Sequence, residues 1–132
     1  MDRSIRTNVR DVSNGVYVWN GAKLDAMGCH FHQNEGFGLF VDGSITTARL
    51  TNCTSHHNKH NGVAAQFGAV VDLMGEGTSV HDNEIYGLSA YFPGTTINVY
   101  QPCVLNDMSH GNKNQNINMV VGGIVQQKES KK

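Results

Sequence analysis

Apolar and polar residues alternate with a period of two in short segments that recur throughout the chain. Each segment starts at a small or turn-forming residue, which we take to be Gly15, Gly36, Gly62, Gly87 and Asn116. The residues one and three positions further on are always apolar, and they form two columns: Val16, Phe37, Val63, Leu88, Ile117 and Val18, Leu39, Ala65, Ala90, Met119. This alternation predicts a β-strand with one buried face in every repeat.

Two further strands are predicted in each repeat. A second glycine follows the first strand each time, at Gly21, Gly43, Gly68, Gly94 and Gly122, and marks a turn. Short segments rich in β-branched or apolar residues come after it, and three strands with three turns describe one winding of a parallel β-helix. Windings stacked about 4.8 Å apart place equivalent residues over one another and bury a continuous core. We therefore expect an all-β parallel β-helix of about five coils, with three short strands per coil.

The motif His-x-Asn occurs four times in the same phase of the repeat. Its asparagines are Asn34, Asn58, Asn83 and Asn112, and its histidines are His32, His56, His81 and His110. Stacked asparagine amides can satisfy turn backbone groups and bind one another, so this column predicts a structural ladder. Stacked imidazoles repel one another when protonated, so we expect lowered histidine pKa values and a loss of stability at mildly acidic pH.

The same histidine column raises the question of a metal site. Adjacent imidazoles could bind a transition metal, and His57, His60 and Asp82 lie close by in the sequence. However, a metal site needs convergent ligands, and no cysteine or carboxylate accompanies all four histidines. We predict no metal site and no cofactor.

Charged residues follow the ladder asparagines with alternating sign, as Glu35, Lys59, Glu84 and Lys113. In a parallel stack each charged residue then has neighbours of the opposite charge above and below it. Shifting the strand pairing by one whole coil would bring like charges together, so this shift is disfavoured. Exposed pairs of this kind contribute only about 0.2 to 1 kcal/mol each to stability. We therefore expect these residues to fix the register of the coils and not to take part in catalysis.

Composition excludes several classes of protein. The formal net charge of -1 and the lack of a basic stripe argue against nucleic-acid binding. Fifteen glycines with two prolines favour turns and strands, so helix should be scarce. Cys29, Cys53 and Cys103 cannot all pair within one chain, and we expect free thiols. No apolar stretch reaches the length of a membrane span and no signal peptide begins the chain as given, so we expect a soluble protein that does not bind membranes.

Two segments resemble a known fold family. Asn58-Lys59-His60-Asn61-Gly62-Val63 and Asn83-Glu84-Ile85-Tyr86-Gly87-Leu88 are similar to the repeats of right-handed parallel β-helix proteins of the pectate-lyase-like superfamily. The resemblance covers about residues 14 to 121 and implies a right-handed coil. It implies no single activity, because the superfamily includes lyases, hydrolases, epimerases, tail-fibre modules and non-catalytic binding domains.

The catalytic patterns of that superfamily do not match. In alginate-epimerase-like members an Asp-Pro-His motif follows a Tyr-Gly step, whereas Tyr86-Gly87 is followed by Leu88-Ser89-Ala90-Tyr91. Arg49 is expected to lack the aspartate cluster that pectate lyases place beside an arginine. The sequence therefore argues against an enzyme.

The predicted organisation is an N-terminal cap over residues 1–13, a parallel β-helix over 14–125 and a flexible charged tail over 126–132. One insertion, around Gln101 to Asn106, lengthens the fourth coil by about four residues.

Outward-facing aromatic residues suggest a binding face. We place Trp19, Phe40, Gln66 and Tyr91 in one outer column, with Tyr17 beside Trp19. Such a face suits the apolar faces of sugar rings or a protein partner, or it packs beneath the N-terminal segment.

Two interpretations of function result. The first is a non-catalytic module that binds carbohydrate or protein, or that serves as a structural assembly element, with homo-oligomers favoured by the flat faces and ends. The alternative is a small carbohydrate-active enzyme, a lyase, epimerase or hydrolase, with a site formed by His81, Asp82, Asp107 and His110.

Overall fold

The chain forms a parallel β-helix in a computed structural model that describes residues 4–5, 8–9 and 15–130. Its strands assemble into three parallel sheets, and each winding contributes one strand to each sheet. The predicted cap, residues 1–13, lies largely outside the described residues. Its described parts are two short strands, β1 (Ser4–Ile5) and β2 (Asn8–Val9), which pair in parallel with the following winding.

The remaining strands have these bounds. Sheet A continues from β1 with β4 (Lys23–Met27), β7 (Thr47–Thr51), β10 (Val70–Met74), β13 (Thr96–Tyr100) and β16 (Ile124–Lys128). Sheet B continues from β2 with β5 (His30–His32), β8 (Thr54–His56), β11 (Ser79–His81) and β14 (Ser109–His110). Sheet C contains β3 (Val16–Trp19), β6 (Leu39–Asp42), β9 (Val63–Gln66), β12 (Tyr86–Tyr91) and β15 (Gln115–Val120). Three strands per coil and about five coils are confirmed.

The core fills the space between the three sheets. Leu39, Val63 and Leu88 lie over one another in sheet C and are fully buried. Val71 and Ile97 do the same in sheet A. Because equivalent positions are apolar in successive windings, stacking produces one continuous hydrophobic column. Helix is scarce, as predicted: the described chain contains the single short helix α1 (Leu105–Met108), which begins within the predicted insertion.

The predicted register of the second winding is wrong by two residues. Val16 pairs with Leu39 and Val18 with Val41, so Gly38 and not Gly36 occupies the column of Gly15. Phe37 consequently lies outside the inward column. The cause is a constant spacing of four residues between each ladder asparagine and the residue in the column of Gly15, which selects Gly38 after Asn34.

Glycine is required in this column by the close approach of the next winding. A Cβ atom on Gly62 would lie 2.6 Å from Asn83 Nδ2 and would also clash with the side chain of Val80. The last member is Asn116, and among the described residues no further strand follows its winding in sheet C. The side chain is tolerated there because, within residues 15–130, no later strand of this sheet lies against it.

The strand at the C-terminal side runs further than the sequence suggested. β16 continues to Lys128, three residues into the segment assigned to a tail. Gln126 donates to Asn98 Oδ1 at 2.8 Å, and Gln127 donates to the carbonyl oxygens of Val99 and Cys103, both at 2.9 Å. These side-chain hydrogen bonds add to the strand pairing with β13 and extend the sheet.

Candidate functional site

The asparagine ladder is continuous along the turns that follow sheet B. Asn34 Nδ2 donates to Asn58 Oδ1 at 2.8 Å, Asn58 Nδ2 to Asn83 Oδ1 at 2.9 Å, and Asn83 Nδ2 to Asn112 Oδ1 at 2.8 Å. Asn112 Nδ2 then donates to Asn116 Oδ1 at 3.0 Å. The four predicted members are all buried. The column is therefore structural, as predicted.

The histidine column is also confirmed, and it lies on the outer side of sheet B. The ring centroids of His32 and His56 are 5.2 Å apart, those of His56 and His81 are 4.9 Å apart, and those of His81 and His110 are 5.2 Å apart. The planes of successive rings are parallel to within 5°. Burial, followed by the charges of His81, His57, His32 and His30, lowers the pKa of His56 to about 4.

The turn after this column carries two further polar groups. His57 and Asp82 directly follow His56 and His81, and both have left-handed backbone conformations with φ of 55° and 56°. His56 Nδ1 and His57 Nδ1 are 2.8 Å apart, and His81 Nδ1 lies 2.8 Å from Asp82 Oδ2. The hydrogen bond with His81 keeps the pKa of Asp82 below its usual value.

The four residues of the alternative catalytic site are only partly brought together. His81, Asp82 and His110 are neighbours through the ring stack and the contact between His81 and Asp82. Asp107, however, lies in α1 and lines a depression with Glu76, Thr78 and Cys103, whereas Asp82 lines a different one with Glu84 and Lys113. The insertion forms a helical turn, so Asp107 does not continue a strand column as expected.

Aromatic side chains form one array near the N-terminal side of sheet C. Tyr17 is stacked on Phe40, with centroids 5.2 Å apart, and lies parallel to Trp19 within 12° at 6.1 Å. Phe40 contacts Phe37 at 4.8 Å, and Phe37 is stacked on His60 at 4.5 Å. We call these five residues, Trp19, Tyr17, Phe40, Phe37 and His60, the aromatic surface. Trp19 and Tyr17 are 58% and 45% exposed.

The predicted binding face is therefore corrected in its register. Phe40 pairs with Tyr17, and Asp42 is the residue that pairs with Trp19. The Tyr17 hydroxyl donates to Asp42 Oδ2 at 3.0 Å, and this hydrogen bond contributes, after desolvation, to a raised Tyr17 pKa. Gln66 and Tyr91 follow Asp42 in the column. Tyr91 lies three windings from Trp19, and its hydroxyl accepts a hydrogen bond from Asn61 Nδ2 at 3.1 Å.

Sequence reasoning missed Phe37, His60 and Asp42 as members of this region. The spacing of four residues after Asn34 would have removed Phe37 from the core and left it on the surface. No sequence signal indicated the contact between Phe37 and His60, because the two side chains belong to different windings.

Arg49 is placed differently from the prediction. Asp25 and Asp72 pair with Arg49 on the two neighbouring strands of sheet A, so aspartates do flank it. Asn98 Nδ2 donates to Asp72 Oδ1 at 3.0 Å, and Gln126 continues the same column. This alternation of charge and amide resembles the column of Lys59 and Glu35, whose Nζ and Oε1 atoms are 3.7 Å apart. We assign it a structural role.

The described residues form neither a cluster of three metal ligands nor a membrane-spanning helix. Within residues 15–130, no group of three or more histidine, cysteine, aspartate or glutamate side chains is arranged around a metal position. The three cysteines are unpaired and buried, as predicted. Over the described part of the chain, no helix has the length and apolar character needed to cross a bilayer.

Comparison with protein families agrees with the fold. The model of the family described as right-handed β-helix region matches residues 2–104. The chain belongs to the right-handed β-helix family. Neither the curated proteins nor the solved structures gave a significant match to this β-helix protein. The family fixes the architecture, and function has to be argued from the side chains on its surface.

Proposed function

We propose that this β-helix protein is a non-catalytic binding module and that its ligand is a carbohydrate held on the aromatic surface. The supporting observation is the array of five contacting rings, of which Trp19 is more than half exposed. Exposed apolar groups in one contiguous patch mark interaction sites. Rings in mutual contact also hold one another in fixed orientations, which lowers the entropy lost on binding.

Carbohydrate is favoured by the mixture of aromatic and polar groups at this place. Sugar rings present an apolar C–H face with hydroxyl groups around its edge, so they suit aromatic rings beside hydrogen-bond acceptors. Trp19 and Tyr17 supply two parallel rings, and the Asp42 carboxylate lies at the Tyr17 hydroxyl. Gln66, on the next strand, adds an amide in the same column.

The same region is poorly suited to cleaving a glycosidic bond. Hydrolases place two carboxyl groups across a cleft with space for the substrate between them. Here Asp42 is engaged by Tyr17, and Glu35, in the turn before Phe37, faces Lys59 at 3.7 Å. Binding without turnover is therefore the activity that these side chains support.

Substitution of Trp19 tests the proposal. The wild-type protein should bind members of a polysaccharide and oligosaccharide array. Trp19→Ala should weaken binding to the best ligand at least about tenfold, since exposed tryptophan and tyrosine side chains contribute most of the binding energy in interfaces. Phe67→Ala is the matched control, because Phe67 is also exposed (55%) but is stacked on Phe92 outside the aromatic surface. It should bind like wild type.

Three results would count against the proposal: no glycan bound by the wild-type protein, equal affinity for wild type and Trp19→Ala, or an equal loss in Phe67→Ala. Capture of a defined protein partner that depends on Trp19, without any glycan, would replace carbohydrate by protein as the ligand. A change of oligomeric state in Trp19→Ala would assign the surface to contacts between copies.

A small carbohydrate-active enzyme is the second candidate function, and one observation favours it. The contact between His81 Nδ1 and Asp82 Oδ2 at 2.8 Å orients the imidazole and leaves Nε2 available to accept a proton. Assays for new reducing ends and for unsaturated products should detect turnover if this candidate is right. Turnover that is lost in His81→Ala and kept in Trp19→Ala would support the enzyme over the binding module.

A further inference from the structure

On the histidine-rich side of sheet B, the ring of His57 stands edge-on to the stacked column and contacts the rings of His56 and His81. His56 ends β8, and His57 follows it with φ of 55°. Consecutive residues of an extended strand point to opposite faces, but the left-handed conformation at His57 turns the chain. The His57 ring consequently lies beside His56 on the outside, with the planes at 84° and the centroids 5.1 Å apart.

The two rings direct nitrogen atoms toward each other. His56 Nδ1 and His57 Nδ1 are 2.8 Å apart, so one nitrogen donates its hydrogen to the lone pair of the other. A metal ion bound by two imidazoles at about 2.0 to 2.1 Å holds their nitrogens about 3 Å apart. The observed separation therefore needs to increase by only a few tenths of an ångström for one ion, lying to the side of the line between the two nitrogens, to bind both. The ring that carries its hydrogen on Nδ1 then has to carry it on Nε2, and solvent mediates this exchange.

Ring orientation separates this pair from the rest of the column. An imidazole binds a metal ion that lies in the plane of its ring. Two ring planes that are close to perpendicular intersect in a line, and an ion on that line lies in both planes. In the stacked pairs the ring planes are parallel to within 5° and the ring centroids are about 5 Å apart, so no ion can lie in both planes. The ring of His57 is also perpendicular to that of His81, at 84° with the centroids 6.2 Å apart. Of these two perpendicular contacts, the one between His56 and His57 also brings two ring nitrogens to within 2.8 Å of each other.

A carboxylate lies one winding away. The His57 backbone N–H donates to the Asp82 carbonyl at 3.1 Å, so Asp82 is directly next to His57 in the following turn. The equivalent residue in the next winding is Gly111, and a Cβ there would lie 2.6 Å from Asp82 Oδ1. The missing side chain leaves room for the carboxylate, whose negative charge favours a cation at the adjacent imidazoles.

We propose that His56 and His57 form a two-ligand site for a divalent transition metal, with water in the remaining positions and Asp82 as a charged neighbour. Imidazole ligands select Cu²⁺, Ni²⁺ and Zn²⁺ over Mg²⁺ and Ca²⁺, and Cu²⁺ should bind most tightly of the three. The site is independent of the aromatic surface, so either proposal can fail without the other.

Titration of the full chain with Cu²⁺ tests this site. Calorimetry should show one site that is stronger than the rest and that excess Mg²⁺ does not displace. His57→Gln should weaken it at least about tenfold, and Asp82→Asn should weaken it less, because second-sphere groups also affect metal affinity. His60→Gln is the matched control, since His60 is an exposed histidine that is stacked on Phe37, away from the pair.

Electron paramagnetic resonance of the Cu²⁺ complex supplies a second readout. The wild-type spectrum should show coupling to two imidazole nitrogens, and His57→Gln should lose one of them. Circular dichroism of each variant establishes that it is folded. Unchanged affinity and spectrum in His57→Gln, or an equal loss in His60→Gln, would overturn the proposal and indicate diffuse binding to surface histidines.

Discussion

Asn58 shows how much a single side chain does inside the ladder. Its Oδ1 accepts from both the backbone N–H and the Nδ2 of Asn34, at 3.2 and 2.8 Å. Its Nδ2 donates to Asn83 Oδ1, to Ser55 Oγ and to the Phe31 carbonyl. A fully buried amide is tolerated because all of its polar atoms have partners. The same side chain thus connects three windings.

Replacing Asn58 should therefore destabilise the fold. Asn58→Ala removes these hydrogen bonds and leaves buried donors on Asn34 without their acceptor. We expect a loss of about 2 to 4 kcal/mol in the free energy of unfolding, measured by urea denaturation. Asn114→Ala, at an exposed position, should change it by less than about 0.5 kcal/mol. Equal effects of the two substitutions on the free energy of unfolding would contradict a contribution of the ladder to stability.

Both ladders could be predicted from the sequence because identical residues repeat in the same phase. The position of Phe37 could not be read as safely, since Gly36 and Gly38 both fit the start of a strand. The sequence distinguishes them only through the spacing of four residues after the ladder asparagine, which selects Gly38. In the structure, Gly38 N donates to the Asn61 carbonyl at 3.0 Å, in agreement with that register. A local choice between two glycines moved one aromatic side chain from core to surface.

At the scale of the strands, the outer side of sheet B places four imidazole rings in one stacked column. Strands β5, β8, β11 and β14 hold His32, His56, His81 and His110 in register. The rings exclude water from one another's faces, and each would add a positive charge next to its neighbours when protonated. Burial is the first cause of the lowered His56 pKa, and the neighbouring histidines are the second.

Stability should consequently fall as the pH is lowered from about 6.5 to about 4. The unfolded chain takes up a proton on His56 near its ordinary pKa of 6.5, whereas the folded chain does so near 4. Between these values the unfolded state binds more protons, so acid favours unfolding. Because His56 is partly solvated, we expect a loss on the order of 1 kcal/mol.

Thermal unfolding at pH 7 and pH 5 measures this effect. His56→Gln should reduce the difference in midpoint between the two pH values, and His60→Gln should leave it unchanged. A wild-type midpoint that is the same at both pH values would contradict the effect of stacking on protonation.

Columns of residues that recur with the period of the repeat could be predicted from the sequence. Contacts that depend on how the strands pair could not. The alternation of Glu35 and Lys59 was visible in the sequence, and their side chains do meet. The aspartates beside Arg49 were missed because the three residues belong to different windings, and the offsets that join them follow only from the strand pairing. The aromatic surface was predicted in part, through Trp19 and Tyr17, and its remaining members required coordinates.

Over the whole molecule, the core is a single column without an internal boundary. Cys29, Cys53 and Cys103 lie in it and are at most 4% exposed. Burial raises the pKa of Cys53 and of Cys103, which further reduces the thiolate fraction. Reaction of these thiols with a reagent in solution requires the windings around them to open.

Thiol labelling should therefore report unfolding of the molecule. In native buffer we expect negligible reaction with a disulfide reagent over the time in which free cysteine reacts completely. In urea, three thiols per chain should become reactive over the same concentration range in which circular dichroism changes. A thiol that reacts quickly in native buffer, with the strand signal intact, would show that one winding opens independently.

Asn116 limits how a molecule of this design could lengthen. It occupies the position that is glycine in every earlier winding, and its amide serves as the final acceptor for Asn112. At Gly87, the preceding member of the column, a Cβ would lie 2.6 Å from the Asn116 carbonyl oxygen. A duplicated internal winding could be inserted with all its contacts intact, whereas growth beyond residue 116 in sheet C would first require a mutation to glycine.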